Sequence, residues 1–179
     1  MTGSFTLGDP DMRDRVLVVY ATCLGSTVEV AATIGRRLSE DGRAVDVKPI
    51  AESPSLGGYA AAVIGSAVHH GQWLPEAVDF VGANRDALAL LPVALFCVHI
   101  QNLADDETSR RNRLAYLDRV RPLVQPVAEG FFAGRFDRRG ARLLLPKVVA
   151  WMVPTIDLRD WKKIRGWTAG LASSLVASA

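Results

Sequence analysis

The chain has 179 residues, 49% of them hydrophobic, enough for one well-buried domain and short for two. Its two cysteines, Cys23 and Cys97, stand far apart and outside any CxxC, which argues against a disulfide framework or a thiolate metal site. The formal charge is only +2, but residues 134–165 carry nine Lys/Arg against three Asp/Glu and leave the remainder acidic. No apolar run is long enough for a bilayer span and the N-terminus lacks a signal-peptide pattern, so a cytoplasmic protein is expected.

Residues 1–14 are polar and aperiodic and are expected to form a flexible arm, with a single domain over 15–179. "RVLVVYA" from Arg15 is a near-continuous β-branched run, the pattern of a parallel strand covered on both faces. "STVEVAATIGRRLSEDG" follows with Val30, Ile34 and Leu38 at helical spacing and Gly42 as a stop. "AVDVKPI" and "YAAAVIGSAV" read as strands, and "PEAVDFVGANRDAL" as a helix opened by Pro75. "LPVALFCVHI" gives a fourth strand, "SRRNRLAYLDRVRPLV" a helix, "PVAEGFFAGRF" a fifth strand, and residues 158–176 a closing helix. This alternation predicts an α/β fold: a five-stranded parallel sheet in the order 2-1-3-4-5 with helices on both faces. A basic apolar insert at about 134–157 does not fit the repeat.

Ligands of open parallel sheets sit outside the carboxyl ends of the strands, where the strand order reverses. The loop after the first strand lies there, with hydroxyls at Thr22, Ser26 and Thr27, a turn residue at Gly25, and Cys23 and Leu24 between. Helix-opening amides beside hydroxyls suit a phosphate; with no Lys or Arg in residues 20–35 and no Walker or dinucleotide glycine pattern, a monophosphate fits better than a triphosphate. The alternative is that Ser26 or Thr27 merely caps the helix.

"VLVVYATCLGSTVEVAATI" resembles the phosphate loop and first helix of flavodoxin-like proteins, and its "YAT..GST..VA" form is similar to the branch containing flavodoxin-type, quinone-dependent protoporphyrinogen oxidase. "AVIGSAVHHGQWLPEAVDFV" resembles that branch's third strand, flavin loop and next helix, and "DLRDWKKIRGW" the start of its last helix. The resemblance implies FMN, with the phosphate at Thr22–Thr27 and the ring between the loops holding Ser66, Ala67, Val68, His69, His70, Gly71, Gln72 and Trp73 and, in the other loop, His99, Gln101 and Asn102.

In flavodoxin-like proteins a peptide beside a glycine flips to meet the flavin N5, which makes Gly71 the candidate contact; the alternative is that it only serves a turn. His69, His70 and Trp73 are candidates to flank the ring, with packing under Pro75 the alternative for Trp73. Gln101 and Asn102 suit the polar edge of the flavin. Adjacent His69 and His70 are expected to point in divergent directions, and no metal site is assigned. "GSAVHHG" is not G-x-S-x-G, so nucleophilic hydrolysis is not supported, and no side-chain general base is identifiable.

In the insert, Arg135, Arg138, Arg139, Arg142 and Lys147 flank a Leu/Val-rich run. That combination suits a lipid headgroup surface over residues 135–153, a mouth for an anionic apolar molecule, or an ordinary covering helix. The resemblance implies a porphyrinogen substrate near Arg138, Arg139 and Arg142 and a quinone or redox-protein electron acceptor. The competing readings are an electron carrier, a quinone reductase without porphyrin activity, and a non-flavin interaction module; no nucleic-acid partner is expected.

Overall fold

The computed structural model describes residues 5–7, 15–136 and 156–175. Five parallel strands form the sheet: β2 (Val16–Ala21), β3 (Val45–Pro49), β4 (Ala61–His69), β6 (Val93–His99) and β7 (Ala128–Ala133), in the spatial order β3-β2-β4-β6-β7. In chain order of these five, that is the expected 2-1-3-4-5 arrangement. β5 (Gln72–Trp73) folds back antiparallel on β4, and β8 (Arg135–Phe136) pairs with β9 (Ile156–Asp157) in a separate ribbon.

The side chains of β2 alternate between two cores, as the two-residue period of a strand requires. Leu17, Val19 and Ala21 join Ile64, Leu95 and Cys97 on one face, under α2 (Pro75–Ala83) and the segment around Leu117 and Val120. Val16, Val18 and Tyr20 join Val63 and Phe96 on the other, under Val30, Ile34 and Leu38 of α1 (Ser26–Glu40) and Ile164 and Leu171 of the last helix. Each fully buried Leu or Ile contributes roughly 1.5–3 kcal/mol, so both helical layers are held mainly by burial.

Three expectations need correction. The arm over residues 1–14 contains a strand, β1 (Phe5–Leu7), which pairs antiparallel with β3 and covers the edge that β3 would otherwise expose. The helix expected to run from 75 to 88 breaks at Asn84, whose side-chain amide donates to the Phe80 carbonyl at 2.8 Å; a short helix, α3 (Arg85–Leu88), follows. The helix expected over 109–124 is α4 (Glu107–Ala115), succeeded by turns that carry Tyr116, Leu117, Val120 and Val124 into the core. The Arg121 guanidinium there takes the Leu114 carbonyl and pairs with Glu129, and Pro122 has no amide to continue a helix. The closing helix, α5 (Trp161–Ser174), is capped by Asp160, whose carboxylate accepts from the Lys163 amide at 2.9 Å.

Candidate functional site

Strand register brings three loops to the carboxyl end of the sheet. Ala21 lies beside Ser66, Ser66 beside Cys97, and Cys97 beside Phe131, so the chain leaves β2, β4 and β6 at neighbouring positions. These loops and the element ends that flank them contain every cofactor-binding candidate named from the sequence.

The loop after β2 is wound around Gly25, which has φ of 90° and is itself the N-cap of α1. Its amide donates to the Thr22 hydroxyl at 3.0 Å, and no side chain caps the helix. The capping role considered for Ser26 and Thr27 is therefore not what they do. Thr27 is fully buried and its hydroxyl has no partner. A buried hydroxyl in that condition costs free energy unless something fills the place. Of the opening amides of α1, that of Val28 donates to the Gly25 carbonyl at 3.2 Å, those of Ser26 and Thr27 have no acceptor within the helix, and the helix dipole adds a positive potential at the same point. Cys23 is exposed and Leu24 half-buried, so neither adds a strong donor.

Two cations, Arg135 of the basic insert and Arg159, approach the first turn of α1, a placement the sequence did not foretell. Arg135 pairs with Glu29 at 3.2 Å, and Arg159 bridges Glu29 at 2.5 Å and Asp157 at 2.6 Å. The Arg159 guanidinium stacks 4.5 Å from the Trp161 ring centroid and holds the Asp157 carboxyl below its ordinary value. Together they offset the charge of Glu29 near the helix N-terminus, so that the loop remains receptive to an anion. For Arg159, only the "DLRDW" resemblance pointed at its segment.

The loop after β4 is a tight hairpin. His69 pairs with Gln72, and the two central residues, His70 and Gly71, have φ of 50° and 75°, as a type I′ turn requires. His69 and His70 do not diverge: the turn sets their exposed rings edge-on at 4.1 Å. Among the described residues no group of three or more His, Cys, Asp or Glu is placed to hold a metal ion. Ala67 and Val68 are half-buried at the end of the strand, and Gln72 is exposed and accepts from Arg119 at 3.3 Å.

Ser66 and Trp73 lie inside the protein. The Ser66 hydroxyl donates to the Ala67 carbonyl at 2.8 Å and accepts the Leu74 amide at 3.1 Å, tying the strand to the start of α2. The Trp73 indole packs in the core and donates to Cys97 Sγ at 3.0 Å. Burial pushes the Cys97 thiol up to about 12, which makes it a packing group and not a nucleophile. Packing, one of the two roles considered for Trp73, is what the indole does in this structure.

In the loop after β6, Asn102 has φ of 55°, donates to the Tyr116 hydroxyl at 2.6 Å and accepts from Asn112 at 3.1 Å. Its side chain is committed to the protein, so this loop offers a ligand its backbone and the exposed Gln101 side chain. His99 is buried; Nδ1–H donates to the Gln101 carbonyl at 2.6 Å, which leaves Nε2 as an acceptor with no partner. Burial, aided by Arg113 and Lys163, lowers its pKa to about 4, so the ring is neutral at pH 7. Arg138, Arg139 and Arg142, the expected substrate residues, lie outside the described residues.

A doubly wound α/β sheet with an anion-receptive loop at its switch point and two further loops beside it has the form of a mononucleotide-binding fold. The chain belongs to the flavodoxin domain family, whose profile matches residues 17–153. FMN is the cofactor this implies, and Thr27 with the α1 amides fits its phosphate. No match was found among curated proteins. The fold is similar to that of rubredoxin oxygen:oxidoreductase from Desulfovibrio gigas, at 12% identity and TM-score 0.54 over 93% of this chain and 37% of that one. Oxidised flavodoxin 2 from Bacillus cereus is similar at 20% identity and TM-score 0.56, with 89% of this chain and 98% of that chain covered. The reduced flavodoxin of Megasphaera elsdenii is similar at 14% identity and TM-score 0.52, covering 87% and 98%.

Proposed function

We propose that this chain is an FMN-dependent electron-transfer protein, passing electrons between its flavin and either a partner protein or a quinone. The observation that carries the reading is the buried, unpartnered Thr27 hydroxyl at the N-terminus of α1, beside a loop closed by Thr22 and Gly25. Bound FMN supplies the redox chemistry; the protein binds it and tunes it. Thr27 and the α1 amides hold the phosphate with neutral donors. The Gly71 hairpin, the exposed His69 and His70 rings and the backbone after β6 are the groups that would hold the flavin ring, the hairpin peptide being the one that would tune it.

The sequence pI near 8.7 supports a partner with an acidic face or an uncharged acceptor such as a quinone. A finer reading is oxidation of a porphyrinogen through flavin to a quinone. Its support is the resemblance of the loop sequences and the net +6 charge of residues 134–165, suited to porphyrin propionates at Arg138, Arg139 and Arg142 and to peripheral contact with an anionic membrane.

Absorption spectroscopy and FMN titration by fluorescence quenching test the binding step. A flavin-like spectrum and saturable quenching are expected; a folded protein that leaves FMN fluorescence unchanged refutes the proposal. Anaerobic reduction of the loaded protein, followed by a quinone, a porphyrinogen or an acceptor protein in separate reactions, then sorts carrier from enzyme.

A further inference from the structure

Two adjoining cavities of about 270 and 410 Å³ flank the C-terminal half of β7, on the far side of the loop after β6 from the hairpin. Sheet order separates them from the hairpin: β4 and its hairpin lie on one side of β6, β7 and these cavities on the other. They share Asp105, Arg113, Phe131 and Lys163, so they form one cleft between the loop after β6 and the start of α5.

The polar groups of this cleft are unevenly matched. Arg110, Arg113 and Lys163 line it and none forms a salt bridge among the described residues. Arg113 donates only to the carbonyls of Asn102 and Ala104, at 2.6 and 2.7 Å. Against three cations stand Asp105, Glu129 and Asp160, but Glu129 is already paired with Arg121 at 2.8 Å and Asp160 is engaged with the Lys163 amide. Phe131 and Trp167 supply an aromatic wall, and the Trp167 indole is fixed by its bond to the Glu129 carbonyl at 3.1 Å. The inner wall of the smaller cavity includes His99, whose Nε2 is a buried acceptor without a donor.

We infer that this cleft is a second ligand site, for an aromatic carboxylate that also carries a hydroxyl or N–H donor. The carboxylate is taken by Lys163 and Arg110 at the mouth, with Arg113 behind them. The ring lies along Phe131 and Trp167, and the donor is accepted by His99 Nε2. Such a site pairs the three cations and the His99 acceptor, and it needs no flavin to exist.

The test is calorimetric titration of the full chain, without FMN and saturated with it, using 6-hydroxy-2-naphthoate, 6-hydroxy-2-naphthamide and 2-naphthoate. The hydroxynaphthoate is expected to bind saturably in both states, about tenfold or more tighter than the amide and about fivefold tighter than the compound lacking the hydroxyl. Lys163→Gln combined with Arg110→Gln, both at exposed positions, is expected to abolish the preference for carboxylate over amide while leaving circular dichroism unchanged. Absence of binding at millimolar concentration overturns the proposal, as does equal binding of acid and amide, or an acid preference that survives the double substitution. Displacement by FMN overturns it as well, by assigning the cleft to the flavin. Equal affinity of the two naphthoates overturns the role given to His99. Because binding is read without FMN, failure of FMN to bind would not imitate failure of this site.

Discussion

In the loop after β2, the most deeply buried hydroxyl, that of Thr27, has no partner; in the loops after β4 and β6, the Ser66 hydroxyl and the Asn102 amide are both held by the protein. The first loop keeps donors in reserve at a cost to the unliganded fold, whereas the other two use theirs to fix their own shape. The difference divides the labour within the flavin site. Under the proposed function, affinity is expected to reside mainly in the phosphate loop, with the ring loops acting through backbone placement and through exposed side chains such as His69, His70 and Gln101.

His99 is the exception in the ring loops, and it carries the largest predicted effect. Its folded pKa, lowered to about 4 by burial, lies below the ordinary value of 6.5. Between those values the unfolded chain binds more protons than the folded one, so stability rises with pH across the window and is lost as pH falls from 6.5 toward 4. The full difference corresponds to roughly 3 kcal/mol. Urea denaturation at pH 7 and pH 4.5 should show the loss, and His99→Gln should flatten that part of the profile. A wild-type profile already flat over this range would mean that His99 is charged in the fold, and the contrast among the loops would have to be redrawn.

A paired substitution sharpens the comparison directly. Ser66→Ala leaves the buried Leu74 amide without its acceptor and should cost about 1–3 kcal/mol of stability, with little change in FMN affinity per folded molecule. Thr27→Val should do the reverse. It replaces a buried hydroxyl that has no partner by a methyl group, so stability without FMN is unchanged or improved, while the loss of a hydrogen bond to a charged phosphate weakens FMN binding about ten- to a hundredfold. Denaturant midpoints and FMN titrations on both variants check this; if both lose stability and neither loses affinity, the two regions do not differ as argued.

Much of the fold was legible because its strands are buried on both faces and read as unbroken apolar runs, and because α1 repeats Val30, Ile34 and Leu38 on one side. β1 was not, since three residues are too few to show a period and its role as an edge partner depends on a strand about forty positions away. The end of α4 was misread because Leu114, Leu117 and Val120 fit a run of turns as well as a helix; only the burial pattern and the reach of Arg121 to the Leu114 carbonyl decide it. In the site, the phosphate loop could be read from its residue types. The commitment of Ser66 and Trp73 to the interior could not, because it rests on contacts to Leu74 and Cys97 that depend on how β4, α2 and β6 pack. The bridge from Arg159 to Glu29 spans 130 positions and has no local signature beyond its flanking motif.

The smallest predicted effect concerns the hairpin, where backbone geometry is expected to matter more than side chains. Gly71 has open space around its missing Cβ, so Gly71→Ala meets no clash and its cost is that of placing an L residue at φ of 75°, roughly 1 kcal/mol. His70, at φ of 50°, already bears such a cost, and His70→Gly should be neutral or stabilising by a few tenths of a kcal/mol. Opposite shifts of the denaturation midpoint would establish that the type I′ turn sets the hairpin. The reduction potential of bound FMN separates the turn from the flavin contact: a peptide that reorients toward N5 on reduction is hindered by a Cβ at position 71, so Gly71→Ala should shift the potential while His70→Gly should not. A potential unchanged in Gly71→Ala would leave this glycine a turn residue alone, and the ring would take its tuning from the backbone after β6.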